Sequence, residues 1–221
     1  DPVAAAAAAK AAWSEETRRA LACEDAALWP GTELVAEPRQ GGEGALRWAQ
    51  HTKNGSITCR PAPADLAAFN TVSFWLHANV AKNATFMLIF ESPREKGVLS
   101  YYSRKVTVDW TGWKQISLHF RSFGSSREPA GWDKIAVFRL TASGWNQEPE
   151  DESVWIIDDF EFSYDPQPYR PAIRVNKYLD EPPVEAFRAR LRPGHPRLIL
   201  LDEALPLTRA FVGEHPLGQA W

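Results

Sequence analysis

From Glu24 to Phe162 the chain is a run of short apolar alternations separated by turn residues, and this period of two is what decides the fold class. Strands are expected at 33–36, 45–50, 56–60, 71–78, 85–91, 101–108, 114–119, 134–141 and 153–162. Turn residues separate them: Gly41-Gly42-Glu43-Gly44, Lys53-Asn54-Gly55, Pro61 to Pro63, Pro93-Arg94-Glu95-Lys96-Gly97 and the stretch from Gly144 to Pro149. Two segments are the most explicit. In Asp109-Trp110-Thr111-Gly112-Trp113-Lys114-Gln115-Ile116, two Trp flank a tight Thr-Gly turn and an alternating strand follows. In Ile156-Ile157-Asp158-Asp159-Phe160-Glu161-Phe162, a second strand carries adjacent carboxylates, expected at one edge of the sandwich. No helical run alternates with the strands, which disfavours a parallel sheet. The fold class is therefore all-β, a two-sheet antiparallel sandwich of jelly-roll size over 23–164.

The ends of the chain read differently. Residues 1–22 predict a helical arm, since Ala dominates and no Pro or Gly interrupts it after Pro2; Ser14 can cap a restart before Glu15-Glu16. Composition alone leaves open whether the arm docks or frays. Residues 165–194 form a linker or strap stiffened by Pro166, Pro168, Pro171, Pro182 and Pro183. Residues 195–221 contain His195-Pro196-Arg197-Leu198 and then Asp202-Glu203-Ala204-Leu205. They predict a capped amphipathic helix ending near Gly213, a short C-terminal helical segment that opens a further domain.

A net charge of −3 lacks the basic footprint of a general nucleic-acid binder. No apolar run approaches the roughly 18–20 residues that span a bilayer. The Ala stretch from Ala4 to Ala9 has no basic region before it, so no signal peptide is visible. Cys23 and Cys59 are the only cysteines. Bridged, they would close a loop of about 37 residues, worth about 3–4 kcal/mol; two buried free thiols are the alternative.

Catalytic patterns are missing. His51, His77, His119, His195 and His215 are scattered without metal spacing, and neither a Gly-x-Ser-x-Gly elbow nor a Gly-Lys-Ser phosphate loop occurs. Glu91 and Glu161 can be nominated as a carboxylate pair, but 28 acidic residues on strands supply such pairs readily. Catalysis by this chain alone is not expected.

The aromatics are more telling, because ten Trp exceed what the core of one sandwich needs. In 71–78, Val72, Phe74, Leu76 and Ala78 share one face, while Ser73, Trp75 and His77 share the other. In 86–91, Phe86, Leu88 and Phe90 oppose Met87, Ile89 and Glu91. Tyr101-Tyr102-Ser103-Arg104 adds ring, hydroxyl and cation. Trp110 and Trp113 are expected to pack inward. Trp145, flanked by Gly144, is an exposed aromatic or a loop anchor.

With these residues in hand, the span from Cys23 to Phe162 resembles the β-jelly-roll carbohydrate-binding modules, through its Trp-Thr-Gly-Trp-Lys strand start and its terminal Ile-Asp-Asp strand. The stretch from His195 to Gly213 resembles the opening of the helical toroid in heparinase II/III-like and alginate-lyase-like polysaccharide lyases. The catalytic Tyr, His and Asn of that toroid are not matched. The resemblance implies non-catalytic polysaccharide binding by an N-terminal module, with a tethered or associated lyase domain as partner, in a secreted, periplasmic or cell-surface setting; the parent protein would be the lyase. It implies glycan contact by Trp75, His77, Glu91, Tyr101, Arg104 and Trp145 on one concave face. Flat rings there bury axial C–H groups of a sugar. An acidic glycan is expected, with Arg60, Arg104 and Lys105 pairing its carboxylates. A structural calcium ion is implied too, with Glu24 and Asp158 as side-chain ligands and carbonyls near 41–44 completing six to eight oxygens. The competing expectation is a structural spacer that buttresses the toroid and binds no sugar.

Overall fold

The computed structural model describes residues 1–95, 97–144 and 148–170. Trp145, most of the expected linker and all of the expected C-terminal helix lie outside them. The strands are β1 (Glu33–Val35), β2 (Ala45–Trp48), β3 (Ser56–Cys59), β4 (Thr71–Ala78), β5 (Ala84–Glu91), β6 (Tyr101–Val108), β7 (Gly112–His119), β8 (Gly124–Ser126), β9 (Val137–Thr141) and β10 (Trp155–Ser163). One five-stranded sheet has the order β1-β2-β10-β4-β7, the other β3-β9-β5-β6-β8, and all their pairings are antiparallel. This is the all-β sandwich that the alternation predicts. β8 was not expected: Gly-Ser-Ser offers no apolar residue, and it is a short edge strand against β6.

The inner faces fill the space between the sheets. Phe74 and Leu76 of β4, Phe86, Leu88 and Phe90 of β5, Phe138 and Leu140 of β9, and Ile157 and Phe162 of β10 are all at most 1% exposed. Each such side chain contributes about 1.5–3 kcal/mol through burial. Trp29 enters this core from the segment before β1, stacking on Phe160 at 5.3 Å and meeting Phe138 edge-on at 5.4 Å.

The arm is docked. It consists of α1 (Pro2–Ala11) and α2 (Glu15–Leu21). The Asp1 side chain accepts from the Val3 N–H, and Ser14 Oγ accepts from the Thr17 N–H at 3.0 Å. Both caps satisfy amide donors that a first helical turn leaves free. Lys10 Nζ meets Glu161 Oε1 at 2.9 Å, and Trp13 packs on Phe69 and Phe162 with ring centroids at 5.5 and 6.0 Å. Ala20, Leu21 and Cys23 belong to the core, and the Trp29 indole N–H donates to the Ala20 carbonyl at 2.7 Å. The apolar face of α2 thus continues the sandwich interior, which the Ala-rich composition of the arm did not reveal.

Two expectations are corrected. Trp113 does not pack inward: it pairs with His77 across β4 and β7, on the outer side of the first sheet, their rings 5.3 Å apart. Gly112, at φ 78°, makes the turn that sets this register, a conformation costly for any other residue. Trp110 does lie against the core, with Lys114 Nζ over its ring at 4.3 Å. Second, β10 is not an edge strand: it runs between β2 and β4. Cys23 and Cys59 are buried free thiols. Burial pushes the Cys59 thiol up to about 12 and, with the charge of Asp158 added, raises Cys23 well above its ordinary value, so both stay protonated.

Candidate functional site

The candidate residues divide between the two sheets. Trp75 and His77 project from β4 on the outer side of the first sheet, where both are half-buried. Glu91 and Tyr101 are cross-strand partners on β5 and β6 in the second sheet. They therefore cannot share one face with Trp75, because the inward alternation of β4 and β5 turns their outer sides in opposite directions. Arg104 is a further correction: it pairs with core-facing Leu88, so it points to the inner side of β6, and its Nη1 donates to the Ser122 carbonyl at 3.2 Å. Trp145 lies outside the described residues.

The outer side of the second sheet carries Thr58, Val137, Arg139, Thr141, Met87, Ile89, Glu91, Tyr101, Ser103 and Lys105, as the cross-strand register dictates. Met87 and Ile89 at its centre are buried. Around them the surface is polar. Arg139 Nε lies 2.9 Å from Glu91 Oε1, with both side chains about three-quarters or more buried, yet the Nε–H has no aligned acceptor. A groove of about 620 Å³ runs beside this pair, lined by Thr58, Arg60, Pro61, Glu91, Val137 and Arg139. A second opening of about 240 Å³ begins on the other side of Glu91 and includes Val98, Leu99 and Ser100. Sequence reasoning missed Arg139, although the signal was present: in Val137-Phe138-Arg139-Leu140, the core residues Phe138 and Leu140 force Arg139 outward.

The carboxylates of β10 form a different cluster. Strand alternation predicts that Asp158 and Asp159 face opposite sides. A bulge between Asp158 and Glu161, with Asp159 at φ 49°, breaks the alternation and brings both carboxylates to the loop before β2. Asp158 is fully buried; its Oδ2 accepts from the Gln40 and Gly41 N–H groups at 2.7 and 3.2 Å, while Oδ1 has no partner. A Cβ at Gly41 would lie 2.6 Å from Asp159 Oδ2, and one at Gly42, where φ is 54°, would collide with Glu24 Oε1. That same Oε1 accepts from the Glu43 N–H at 3.3 Å. Desolvation pushes the Asp158 carboxyl above its usual range, with Glu24 adding repulsion. Asp159 is raised by desolvation and by the charges of Asp158, Glu24 and Glu161. Three carboxylates, one of them with an unsatisfied buried oxygen, thus gather at a glycine loop. As the side chains stand, no group of three or more His, Cys, Asp or Glu among the described residues could hold a metal ion.

No family model matches the chain, and no curated protein matches it. Among solved structures, it is similar to a family 11 carbohydrate-binding module from Clostridium thermocellum in complex with a β-1,3-1,4-mixed-linked tetrasaccharide. The TM-score is 0.48 and the identity 13%, over 65% of this chain and 92% of that one. A family 30 carbohydrate-binding module gives TM-score 0.48 and 17% identity over 66% and 81% of the two chains. TmCBM61 in complex with β-1,4-galactotriose gives 0.35 and 16% over 64% and 92%.

Proposed function

We propose that this chain is a non-catalytic polysaccharide-binding module whose glycan lies along the outer side of the second sheet. The observation that carries the reading is the convergence of two openings on Glu91, beside Arg139 and cross-strand from Tyr101. A groove of several hundred Å³ is of the size small ligands occupy. Tyr101 supplies a rigid ring, while Glu91 and Arg139 hold each other in place to receive hydroxyl groups. Arg60 and Lys105, both exposed on this side, favour an acidic glycan, with Arg139 near them; Arg104 has no part in it. The setting we infer is secreted, periplasmic or cell-surface, with the segment from His195 leading into a polysaccharide lyase that benefits from substrate held nearby. Among the described residues no helix is long and apolar enough to cross a membrane.

Retention of neutral and uronate polysaccharides in affinity gels tests this. Glu91→Ala and Tyr101→Ala should each weaken retention roughly tenfold, about 1.4 kcal/mol. Unchanged retention in both variants, with melting temperatures intact, removes the assignment.

A structural calcium ion held by Glu24 and Asp158 belongs to the same proposal. It is supported by the orphan Asp158 Oδ1 and by the repulsion among Asp158, Asp159 and Glu24. The ion would supply positive charge that pins β10 to the loop before β2. Chelation should lower the melting temperature by several degrees; identical melts with chelator and with calcium rule it out.

A second reading is the spacer. A module that supports a neighbouring domain would cover this face with protein rather than sugar. Failure to retain any glycan, together with cooperative melting of the whole protein, supports the spacer.

A further inference from the structure

A pocket of about 370 Å³ opens between the helical arm and the outer side of the first sheet, away from the groove that the second sheet offers. Its wall on the sheet side includes Ser73 and Trp75 of β4 and Gln115 of β7; the arm contributes Trp13. Trp75 and Gln115 are cross-strand neighbours, so an indole and an amide stand side by side. Trp13 is anchored by its contacts with Phe69 and Phe162, whereas the half-buried Trp75 has no aromatic partner among the described residues. The Ser73 hydroxyl, the Gln115 amide and the Asp159 carboxylate likewise make no side-chain hydrogen bond among the described residues.

The charges of the wall restrict what fits. Lys10 is paired with Glu161 at 2.9 Å, and Arg18 with Glu15 at 3.3 Å. Each cation of the wall already has a carboxylate partner, and Asp159 adds a negative charge, so the wall as a whole does not favour an anionic ligand. What remains is a flat aromatic surface with uncommitted hydroxyl and amide groups beside it, the arrangement that takes a C–H face together with several hydroxyls. We infer that the pocket beneath the arm is a second ligand site, which takes a neutral pyranose end of one or two rings through stacking on Trp75 and hydrogen bonds to Gln115 and Ser73. The inference does not rest on the groove of the second sheet, which differs in location and in its preference for charge.

The experiment titrates the intact chain with methyl β-glucoside, methyl β-galactoside and methyl β-xyloside, using glucuronate and choline as charged probes, and follows the Trp indole N–H resonances by NMR. At least one neutral glycoside should shift the Trp75 resonance saturably in the millimolar range, with glucuronate and choline silent. Trp75→Ala and Gln115→Ala should each weaken that binding at least fivefold. Gln115 is exposed, so its substitution leaves the fold intact and keeps the test informative if Trp75→Ala unfolds. Tyr101→Ala in the groove should leave the shift unchanged, so the two sites fail or succeed separately. The inference is overturned if no neutral glycoside moves the Trp75 signal, if choline or glucuronate alone moves it, or if Gln115→Ala binds as the wild type does.

Discussion

At the scale of single residues, the bulge of β10 concentrates the energetic tension of this molecule. Asp158 and Asp159 have carboxyl groups raised above the unfolded value of 3.8. Groups shifted upward stabilise the fold fully below the unfolded value and lose that contribution as pH rises through the folded value. At neutral pH they therefore cost stability, which the proposed calcium ion would offset. The rise in melting temperature produced by calcium should consequently be largest near pH 7 and vanish below about pH 4; a pH-independent rise would place the ion elsewhere. Gly42→Ala should lower the melting temperature by several degrees, since it adds a Cβ at φ 54° directly against Glu24, with a cost of at least about 1 kcal/mol. His51 works in the opposite sense. It is buried, stacks on Trp155 at 4.2 Å, and its ring nitrogen Nδ1 lies 3.2 Å from the Glu150 carbonyl. Desolvation lowers its pKa below 6.5, so its contribution is full above 6.5 and is lost as pH falls toward the folded value. Between pH 7.5 and 5, the wild type should lose more melting temperature than His51→Gln; equal losses would show that folding leaves the imidazole as easily protonated as in the unfolded chain.

At the scale of elements, the arm separates into two parts with different roles. In α1 only Ala6 is buried, and the helix is tied down by the partly exposed Lys10–Glu161 pair, a kind of contact worth well under 1 kcal/mol. α2 and the turn after it contribute Ala20, Leu21 and Cys23 to the core and accept the Trp29 indole hydrogen bond. Removing residues 1–11 should shift the melting temperature by only a few degrees, whereas removing 1–22 should abolish cooperative melting. Comparable effects of the two truncations would contradict this division. The strands show what was legible beforehand. β4 and β6 have the expected bounds because Val72-Ser73-Phe74-Trp75-Leu76 and the residues from Tyr101 to Val108 alternate cleanly between turn signals. β8 was illegible because a Gly-Ser-Ser edge strand is held by backbone pairing alone. The bulge was illegible because nothing in Ile156-Ile157-Asp158-Asp159-Phe160 announces where alternation fails.

At the scale of the whole molecule, alternation specifies which side of a strand faces inward but not which strands share a sheet. Trp75, His77, Glu91 and Tyr101 all face away from the space between the sheets. Their division between two surfaces followed only from the strand order, in which connections as short as residues 109–111, between β6 and β7, carry the chain from one sheet to the other. Arg139 became visible as part of the site only once β9 lay beside β5. On the proposed reading, the outer side of the second sheet takes a polysaccharide. Mapping backbone amide shifts while titrating an acidic oligosaccharide into the chain tests that assignment most directly. Shifts concentrated at Thr58, Glu91, Tyr101, Ser103 and Arg139 are the predicted result. Saturable binding that leaves those residues unmoved, or no binding to any oligosaccharide tried, would contradict it.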